Sequence, residues 1–122
     1  MIIGVGIDIV EVADMARRLD NPSFLKVFSE REQAYAAGRG ARRAAILASR
    51  WAGKEAFGKA LGTGLRAEWP LSQIEILHAA GGRPTIELGP ALQALLPPAA
   101  CIHCSLSHTA AYATACVIIE SG

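Results

Sequence analysis

The sequence has little charge for a small protein. Of its 122 residues only 19% are charged while 52% are hydrophobic, and the formal net charge is +1. This balance gives no general attraction for nucleic acid or for an anionic membrane surface, so neither is predicted as a partner. The small charged share also leaves less polar surface than a monomer of this size normally carries. We therefore expect part of the surface to be buried between subunits.

A long hydrophobic run is also missing, and cysteine is scarce. No apolar run approaches the roughly 18–20 residues that a membrane span needs. The first four residues, Met1 to Gly4, have neither the basic region nor the core of a signal peptide. The three cysteines, an odd number, favour reduced thiols over a disulfide framework. Together these absences predict a cytoplasmic protein.

The order of predicted elements indicates one α+β domain covering residues 1–122. The predicted strands are Ile2 to Val10, Gln73 to Leu77, Pro84 to Leu88, Cys101 to Leu106 and Tyr112 to Ile119, and the predicted helices are Val12 to Leu19, Glu30 to Ala37, Ala41 to Leu61 and Pro90 to Leu96. A turn at residues 79–82 makes a hairpin of the second and third strands, and a polar turn at residues 107–109 joins the last two. We expect a long central helix packed on a mostly antiparallel sheet.

The long helix is apolar nearly all round and contains no proline. Glycine follows it at Gly62 and Gly64, where glycine commonly ends a helix. Its charged residues need partners if the helix is central, because an unpaired buried charge is costly; they are Arg50, Lys54, Glu55 and Lys59. The alternative is a surface helix with an ordinary Glu55/Lys59 pair.

The first strand carries an acidic residue on a face of small residues. Gly4 and Gly6 precede Asp8 on that face, so another backbone or a ligand can approach the carboxylate closely. The opposite face is entirely apolar. A strand end with an acidic turn residue is the alternative. A dinucleotide fingerprint is excluded because Ile9 stands where its third glycine is required.

Two other motifs do not support the functions they suggest. Gly53 to Lys59 has the spacing of a nucleotide phosphate loop, but it lies within a predicted helix and Ala60 replaces the Ser or Thr that binds Mg²⁺. A zinc site near Cys101 and Cys104 is disfavoured because residues three apart on a strand point to opposite faces. Buried, reduced cysteines are the better interpretation. His108, in the predicted turn, is a better functional candidate than His103.

What remains is a set of two carboxylates, Asp8 and Glu55, with cations nearby in the sequence. Two carboxylates suit a hard divalent ion such as Mg²⁺, which keeps several waters and completes its shell with phosphate oxygens. Arg50, Lys54 and Lys59 can hold further phosphate oxygens. The residues therefore predict phosphate chemistry.

Three blocks of the sequence resemble the holo-[acyl-carrier-protein] synthase family, whose members are short phosphopantetheinyl transferases. They are Gly4 to Glu11, Arg50 to Gly64, and Ser105 to Thr109, and their order and spacing match over almost the whole chain. The middle block is highly specific, whereas the first alone would be weak. The resemblance implies transfer of phosphopantetheine from coenzyme A to a serine of apo acyl carrier protein, with release of adenosine 3′,5′-bisphosphate.

The resemblance also implies roles for individual residues. Asp8 and Glu55 would bind Mg²⁺ together with the pyrophosphate of coenzyme A, and the serine oxygen would attack the β-phosphorus. Glu55, directly or through a metal-bound water, would be the general base, and Lys59 would offset charge on the leaving phosphate. Further substrate contacts are expected from Arg50, Lys54, Gly62, Thr63, Gly64 and His108. The family forms homotrimers with active sites between neighbouring chains.

Carrier docking is where the sequence departs from the family. Many members have a basic residue shortly after the first block, but this chain has Ala13 and Asp14. The positive surface for an acidic carrier would then come from Arg17, Arg18, Arg42 and Arg43. Two alternatives to a fatty acid synthase are a synthase that serves polyketide or peptide-synthetase carriers, and a non-catalytic module that binds coenzyme A or another nucleotide.

Overall fold

A helix lies against one face of a three-stranded antiparallel sheet in the computed structural model, which describes residues 1–122. The strands are β1 (Ile2–Glu11), β2 (Ile74–His78), β3 (Pro84–Leu88), β4 (Cys101–His108) and β5 (Tyr112–Glu120), and the helices are α1 (Val12–Arg18), α2 (Pro22–Leu25), α3 (Glu30–Ala37), α4 (Arg43–Leu61) and α5 (Pro90–Gln93). The sheet has the order β1-β5-β4, and β2 and β3 form a separate antiparallel hairpin. The predicted α+β class with a long helix on an antiparallel sheet is confirmed.

Helix α4 packs directly on the glycine face of β1. A Cβ atom added to Gly4 would lie 1.8 Å from the carbonyl oxygen of Ala60, and one added to Gly6 would lie 1.9 Å from that of Ala56. No side chain other than hydrogen fits at these two positions. The prediction that these glycines admit another backbone is confirmed, and their close contact brings the end of β1 beside the middle of α4.

The other face of β1 points away from the protein. Ile3, Val5, Ile7 and Ile9 are exposed by 46, 58, 67 and 63%. Isolated exposed apolar residues are ordinary, but four on one strand make a continuous hydrophobic patch. The alternating pattern predicted one apolar face and one face of small residues for this strand. The structure shows that the apolar face is exposed and is not part of the core.

Helix α3 begins with a capping box, as predicted. The Ser29 hydroxyl accepts a hydrogen bond from the amide of Glu32, and the Glu32 carboxylate accepts one from the amide of Ser29. These two bonds satisfy amides that a helix start leaves without partners. Helix α3 therefore has the predicted bounds, residues 30–37.

Some predicted boundaries are wrong. A 3₁₀ turn, Gly40–Arg42, precedes α4, which begins at Arg43. Helix α5 ends at Gln93. After it, the amides of Leu95 and Leu96 donate hydrogen bonds to the carbonyls three residues earlier, which is the tighter 3₁₀ pattern. Strand β4 continues through His108, so that histidine is a strand residue. Its turn follows at Thr109, whose hydroxyl accepts hydrogen bonds from two later amides.

The cysteines are less buried than expected. Cys101 is exposed, and Cys104 and Cys116 are half-buried. Burial, followed by the charge of Cys116, raises the pKa of the Cys104 thiol to about 11. The expectation of buried cysteines is therefore wrong for Cys101. Elsewhere, no helix combines the length and hydrophobicity of a membrane span.

Candidate active site

Three predicted catalytic residues line one open cavity of about 550 Å³. Asp8 comes from β1, and Glu55 and Lys59 lie one turn apart on α4. The Lys59 ammonium donates to Asp8 Oδ1 over 3.1 Å and to the carbonyl of Ile7 over 2.9 Å. The glycine face of β1 makes this approach possible, because larger residues there would keep the helix away. The structure thus brings together residues that lie far apart in the sequence.

Glu55 occupies an environment that disfavours its charge. Partial burial is the main cause that raises the pKa of this carboxyl group, and the nearby Asp8 carboxylate raises it further. The cations Lys59 and Arg18 oppose this shift only in part. A carboxylate with a raised pKa binds a proton or a cation more readily than an exposed glutamate does.

Arginine 18 forms part of the wall of this cavity. Its guanidinium lies 3.9 Å from the centroid of the Phe24 ring and 5.1 Å from that of Trp51. This stacking holds a cation at the cavity rim. Arg17, in contrast, is exposed and forms an ion pair with Asp14. Glu11 and Tyr112 complete the rim together with Asp14.

A second cavity, of about 230 Å³, contains three other predicted residues. Arg42, Arg50 and His108 line it, and it shares no lining residue with the Asp8 cavity. Arg50 is only 4% exposed, and its Nε has no hydrogen-bond partner. Burial lowers the pKa of this guanidinium. Arg43, at the start of α4, is half-buried and lines neither cavity.

Lysine 54 is not in either cavity. Its side chain is 0% exposed and its ammonium group donates to Glu32 Oε1 over 2.8 Å and to the carbonyls of Leu71 and Ile74. These three acceptors use all three N–H groups of a lysine. The expectation that Lys54 contacts the substrate is therefore corrected: as folded, the lysine is a buried partner of Glu32.

The glycine-rich end of α4 lies apart from both groups. Gly62 and Gly64 adopt positive φ angles of 86° and 69°, which favour glycine. The Thr63 hydroxyl donates to the carbonyl of Gly64 over 2.8 Å. Thr63 lines a further cavity of about 390 Å³ next to Leu61 and Trp69. The structure thus leaves these three predicted substrate contacts outside the two charged cavities.

Sequence reasoning missed two aromatic residues beside Arg50. Tyr35 stacks on His78, with ring centroids 5.3 Å apart, and the guanidinium of Arg50 lies 4.9 Å from the Tyr35 centroid. These residues also line a further cavity, of about 630 Å³, between α3 and the β2–β3 hairpin. Tyr35 and His78 belong to elements that sequence spacing does not relate, so only the fold reveals their contact.

Comparisons with known proteins agree with this architecture. Residues 4–117 match the family model described as the 4′-phosphopantetheinyl transferase superfamily. The holo-[acyl-carrier-protein] synthase of Treponema denticola is 47% identical, over 98% of this chain and 99% of that protein. The chain belongs to this superfamily and, within it, to the holo-[acyl-carrier-protein] synthase family of enzymes.

Solved structures of relatives have the same fold. The holo-[acyl-carrier-protein] synthase of Neisseria meningitidis superposes with a TM-score of 0.88 at 32% identity, over 99% of this chain and 100% of that one. The Bacillus anthracis enzyme in complex with CoA (3′,5′-ADP) gives a TM-score of 0.84 at 34% identity, over 100% of this chain and 99% of that one. The family resemblance inferred from the three sequence blocks is confirmed.

Proposed function

We propose that this enzyme transfers phosphopantetheine from coenzyme A to a serine of apo acyl carrier protein, in a Mg²⁺-dependent reaction that releases adenosine 3′,5′-bisphosphate. The observation that carries the proposal is the shared cavity of Asp8, Glu55 and Lys59. Two carboxylates and an ammonium there can bind a cation and an anionic phosphate side by side. A site that only bound a polyanion would gain nothing from two carboxylates.

The residues of this cavity fit a magnesium ion. Both carboxylates face an open space, and neither is used up by buried protein partners; Asp8 contacts the half-exposed Lys59 only. No group of three or more His, Cys, Asp or Glu side chains is arranged as a metal site, so the protein would supply two ligands, Asp8 and Glu55. Two carboxylates suit Mg²⁺, which takes its remaining ligands from water and substrate phosphates. When bound, Mg²⁺ would neutralise part of the pyrophosphate charge.

The reaction we propose is a displacement at the β-phosphorus of coenzyme A. The carrier serine oxygen forms a bond to that phosphorus, and the bond to the oxygen bridging the two phosphates breaks. Glu55 takes the serine proton as the general base. Lys59 stabilises the negative charge that develops on the leaving adenosine 3′,5′-bisphosphate.

The second cavity supplies the nucleotide contacts in this proposal. Arg50 is a buried cation without an ion-pair partner, and Arg42 and His108 line the same space. A phosphate group would satisfy the guanidinium. Gly62, Thr63 and Gly64 remain proposed substrate contacts along the end of α4.

A homotrimer with sites between subunits would join the two cavities. Within one chain they share no lining residue, and the patch of Ile3, Val5, Ile7 and Ile9 is exposed. Exposed hydrophobic patches of this kind mark association surfaces. We propose that this patch is buried between subunits, so that Asp8 and Glu55 of one chain face the Arg50 cavity of its neighbour.

The proposed carrier is the acidic acyl carrier protein of fatty acid synthesis, acting in the cytoplasm. Arg18 at the rim of the Asp8 cavity and the exposed Arg17 beside it support docking there. Arg42 and Arg43 lie at the start of α4, and Arg42 also lines the nucleotide cavity. A polyketide or peptide-synthetase carrier is the alternative acceptor, and rates on several purified apo carriers would separate the two.

The direct test is mass spectrometry of apo carrier incubated with coenzyme A and Mg²⁺. We expect the carrier to gain the mass of one phosphopantetheine, and chelation of the metal to prevent the gain. Asp8→Asn and Glu55→Gln should each abolish transfer while the protein stays folded and associated, whereas Asp20→Asn, an exposed carboxylate outside the cavity, should retain it.

The same assay can overturn the proposal. Unchanged transfer by Asp8→Asn or Glu55→Gln would remove the proposed metal site. Tight coenzyme A binding with no transfer to any carrier would instead support the non-catalytic module.

A further inference from the structure

Glutamate 32 is a buried carboxylate whose two oxygens both accept hydrogen bonds from other groups of the protein. It is 1% exposed on α3. Its Oε1 accepts hydrogen bonds from the amide of Ser29 at 2.9 Å and from Lys54 at 2.8 Å, and its Oε2 accepts one from the amide of Ile76 at 3.1 Å. Its charge is therefore compensated within the protein, with Lys54 as its cation.

Arginine 50 is the other buried cation near this carboxylate. It lies one helical turn before Lys54 on α4, and Arg50 and Glu32 line the same cavity of about 630 Å³. Arg50 nevertheless forms no ion pair, and its Nε has no acceptor. A buried cation without an ion-pair partner is costly, so a carboxylate of the same cavity that lost its own cation would pair with it.

We propose that Lys54 is a positioning residue that occupies Glu32 and so keeps the Arg50 guanidinium free for an anionic group of the ligand. This inference rests on the proposed function, which makes Arg50 a contact for a nucleotide phosphate. It assigns Lys54 an electrostatic role in ligand binding without contact with the ligand.

The geometry of the two helices supports this role. The Glu32–Lys54 pair and the Tyr35–Arg50 contact join α3 to α4 one turn apart. The carboxylate is close enough to Arg50 that its charge raises the pKa of the guanidinium, against the larger lowering caused by burial. Without the Lys54 ammonium, Glu32 would lose its cation, and Arg50, which lines the same cavity and has no ion-pair partner, would replace it.

The test uses variants in which the pair is broken in two ways, with adenosine 3′,5′-bisphosphate as the probe. Lys54→Met leaves Glu32 free to capture Arg50, and we expect the affinity measured by titration calorimetry to fall by about 10- to 100-fold, the range for a hydrogen bond to a charged group. The double variant Glu32→Gln/Lys54→Met has no carboxylate to capture Arg50, so its affinity should return to within about threefold of the original, half a log unit.

A matched control is Arg31→Gln. Arg31 also joins α3 to β2, through a 2.6 Å ion pair with Glu75, but its side chain is 60% exposed. Because this pair does not involve Arg50, the affinity for the bisphosphate should not change. A loss equal to that of Lys54→Met would mean that any weakening of the α3 contact reduces binding, and would overturn the proposal.

If Lys54→Met does not fold, Glu32→Gln alone should bind the bisphosphate as tightly as the unmodified chain, and a tenfold loss would overturn the inference. Equal weakness of the double variant and Lys54→Met would also overturn it, since a merely structural role gives no rescue.

Nuclear magnetic resonance separates this inference from the proposed function. The Arg50 Nε–H group has no acceptor in the unmodified chain, and its proton resonance should move downfield in Lys54→Met, where Glu32 accepts a hydrogen bond from it. Failure of the unmodified chain to bind the bisphosphate would contradict the proposed function, while this proton would still report the pairing. An unshifted Nε–H resonance in Lys54→Met would refute the inference.

Discussion

Lys59 on α4 donates a hydrogen bond to Asp8 on β1 over 3.1 Å, across the cavity that also contains Glu55. The ammonium is half exposed, whereas the aspartate side chain is 16% exposed. The lysine therefore lies between a half-buried carboxylate and the open cavity, where a phosphate can reach it. In the proposed reaction, this one cation would balance the site before the ligand binds and would contact the leaving group afterwards.

Lys59→Ala should lower turnover far more than it lowers the affinity for coenzyme A. The lysine is proposed to stabilise charge that exists mainly in the transition state, and loss of such an interaction lowers kcat. Steady-state kinetics and direct coenzyme A titration would measure the two effects. A loss of affinity with unchanged kcat would contradict the transition-state role.

Glu55→Gln should raise the melting temperature of the metal-free protein at neutral pH. Because folding raises the pKa of Glu55, the native state takes up this proton at a higher pH than the unfolded state does. Above the folded pKa, the ionised carboxylate therefore destabilises the native state. This cost disappears as the pH falls through the folded pKa, and is absent below the ordinary value of 4.5. Calorimetry in the presence of a chelator should show the largest gain near neutral pH and none in acid.

Glu75→Gln provides a control of opposite sign. The hydrogen bond from Arg31 is the main cause that lowers the pKa of Glu75, so its ionised form stabilises the fold above its unfolded pKa. The substitution should lower the melting temperature near neutral pH, and the loss should shrink as the pH falls through the folded pKa. Equal signs for the two variants would contradict the explanation.

Gly6→Ala should destabilise the protein by about 3 kcal/mol, the upper end of the usual cost of overpacking. The added carbon would lie 1.9 Å from the Ala56 carbonyl oxygen, and the backbone of α4 must move to avoid it. Gly38→Ala is the control, because nothing lies within 4 Å of its added carbon. Urea unfolding measures both, and a loss below about 1 kcal/mol for Gly6→Ala would show that α4 shifts easily.

The local parts of the fold could be predicted from the sequence, because they depend on neighbouring residues. The capping box at Ser29 and Glu32 fixed the start of α3, and alternation placed Asp8 on the glycine face of β1. Pairings between distant segments could not be predicted. The sequence placed Lys54 among the ligand cations because nothing local connects it to Glu32, which lies 22 residues earlier on another helix.

The candidate site shows the same division. The carboxylates and cations of the site indicated phosphate chemistry by their residue types, and the family resemblance then predicted a particular reaction. Spacing alone did not show that Asp8 and Lys59 meet in one cavity while Arg50 and His108 lie in another. That separation comes from the packing of α4 against both β1 and the β2–β3 hairpin, and it motivates the proposed trimer.

Ile7→Glu should separate the subunits and abolish transfer while each chain remains folded. Ile7 is 67% exposed at the centre of the apolar face of β1, so a carboxylate there costs little in an isolated chain. Buried between subunits, the same charge would lack a partner and oppose association. Leu95→Glu, at a residue 50% exposed elsewhere, should leave the assembly intact.

Sedimentation velocity and far-ultraviolet circular dichroism would measure the assembly and the fold of these two variants. The Asp8 and Arg50 cavities of one chain share no lining residue, so a folded monomer should bind the nucleotide weakly and transfer nothing. Mixing Ile7→Glu with a catalytically inactive Glu55→Gln chain should not restore activity, because the charged variant cannot associate. Full activity in a monomeric Ile7→Glu chain would mean that each subunit contains a complete site, and the proposed sharing of sites would be wrong.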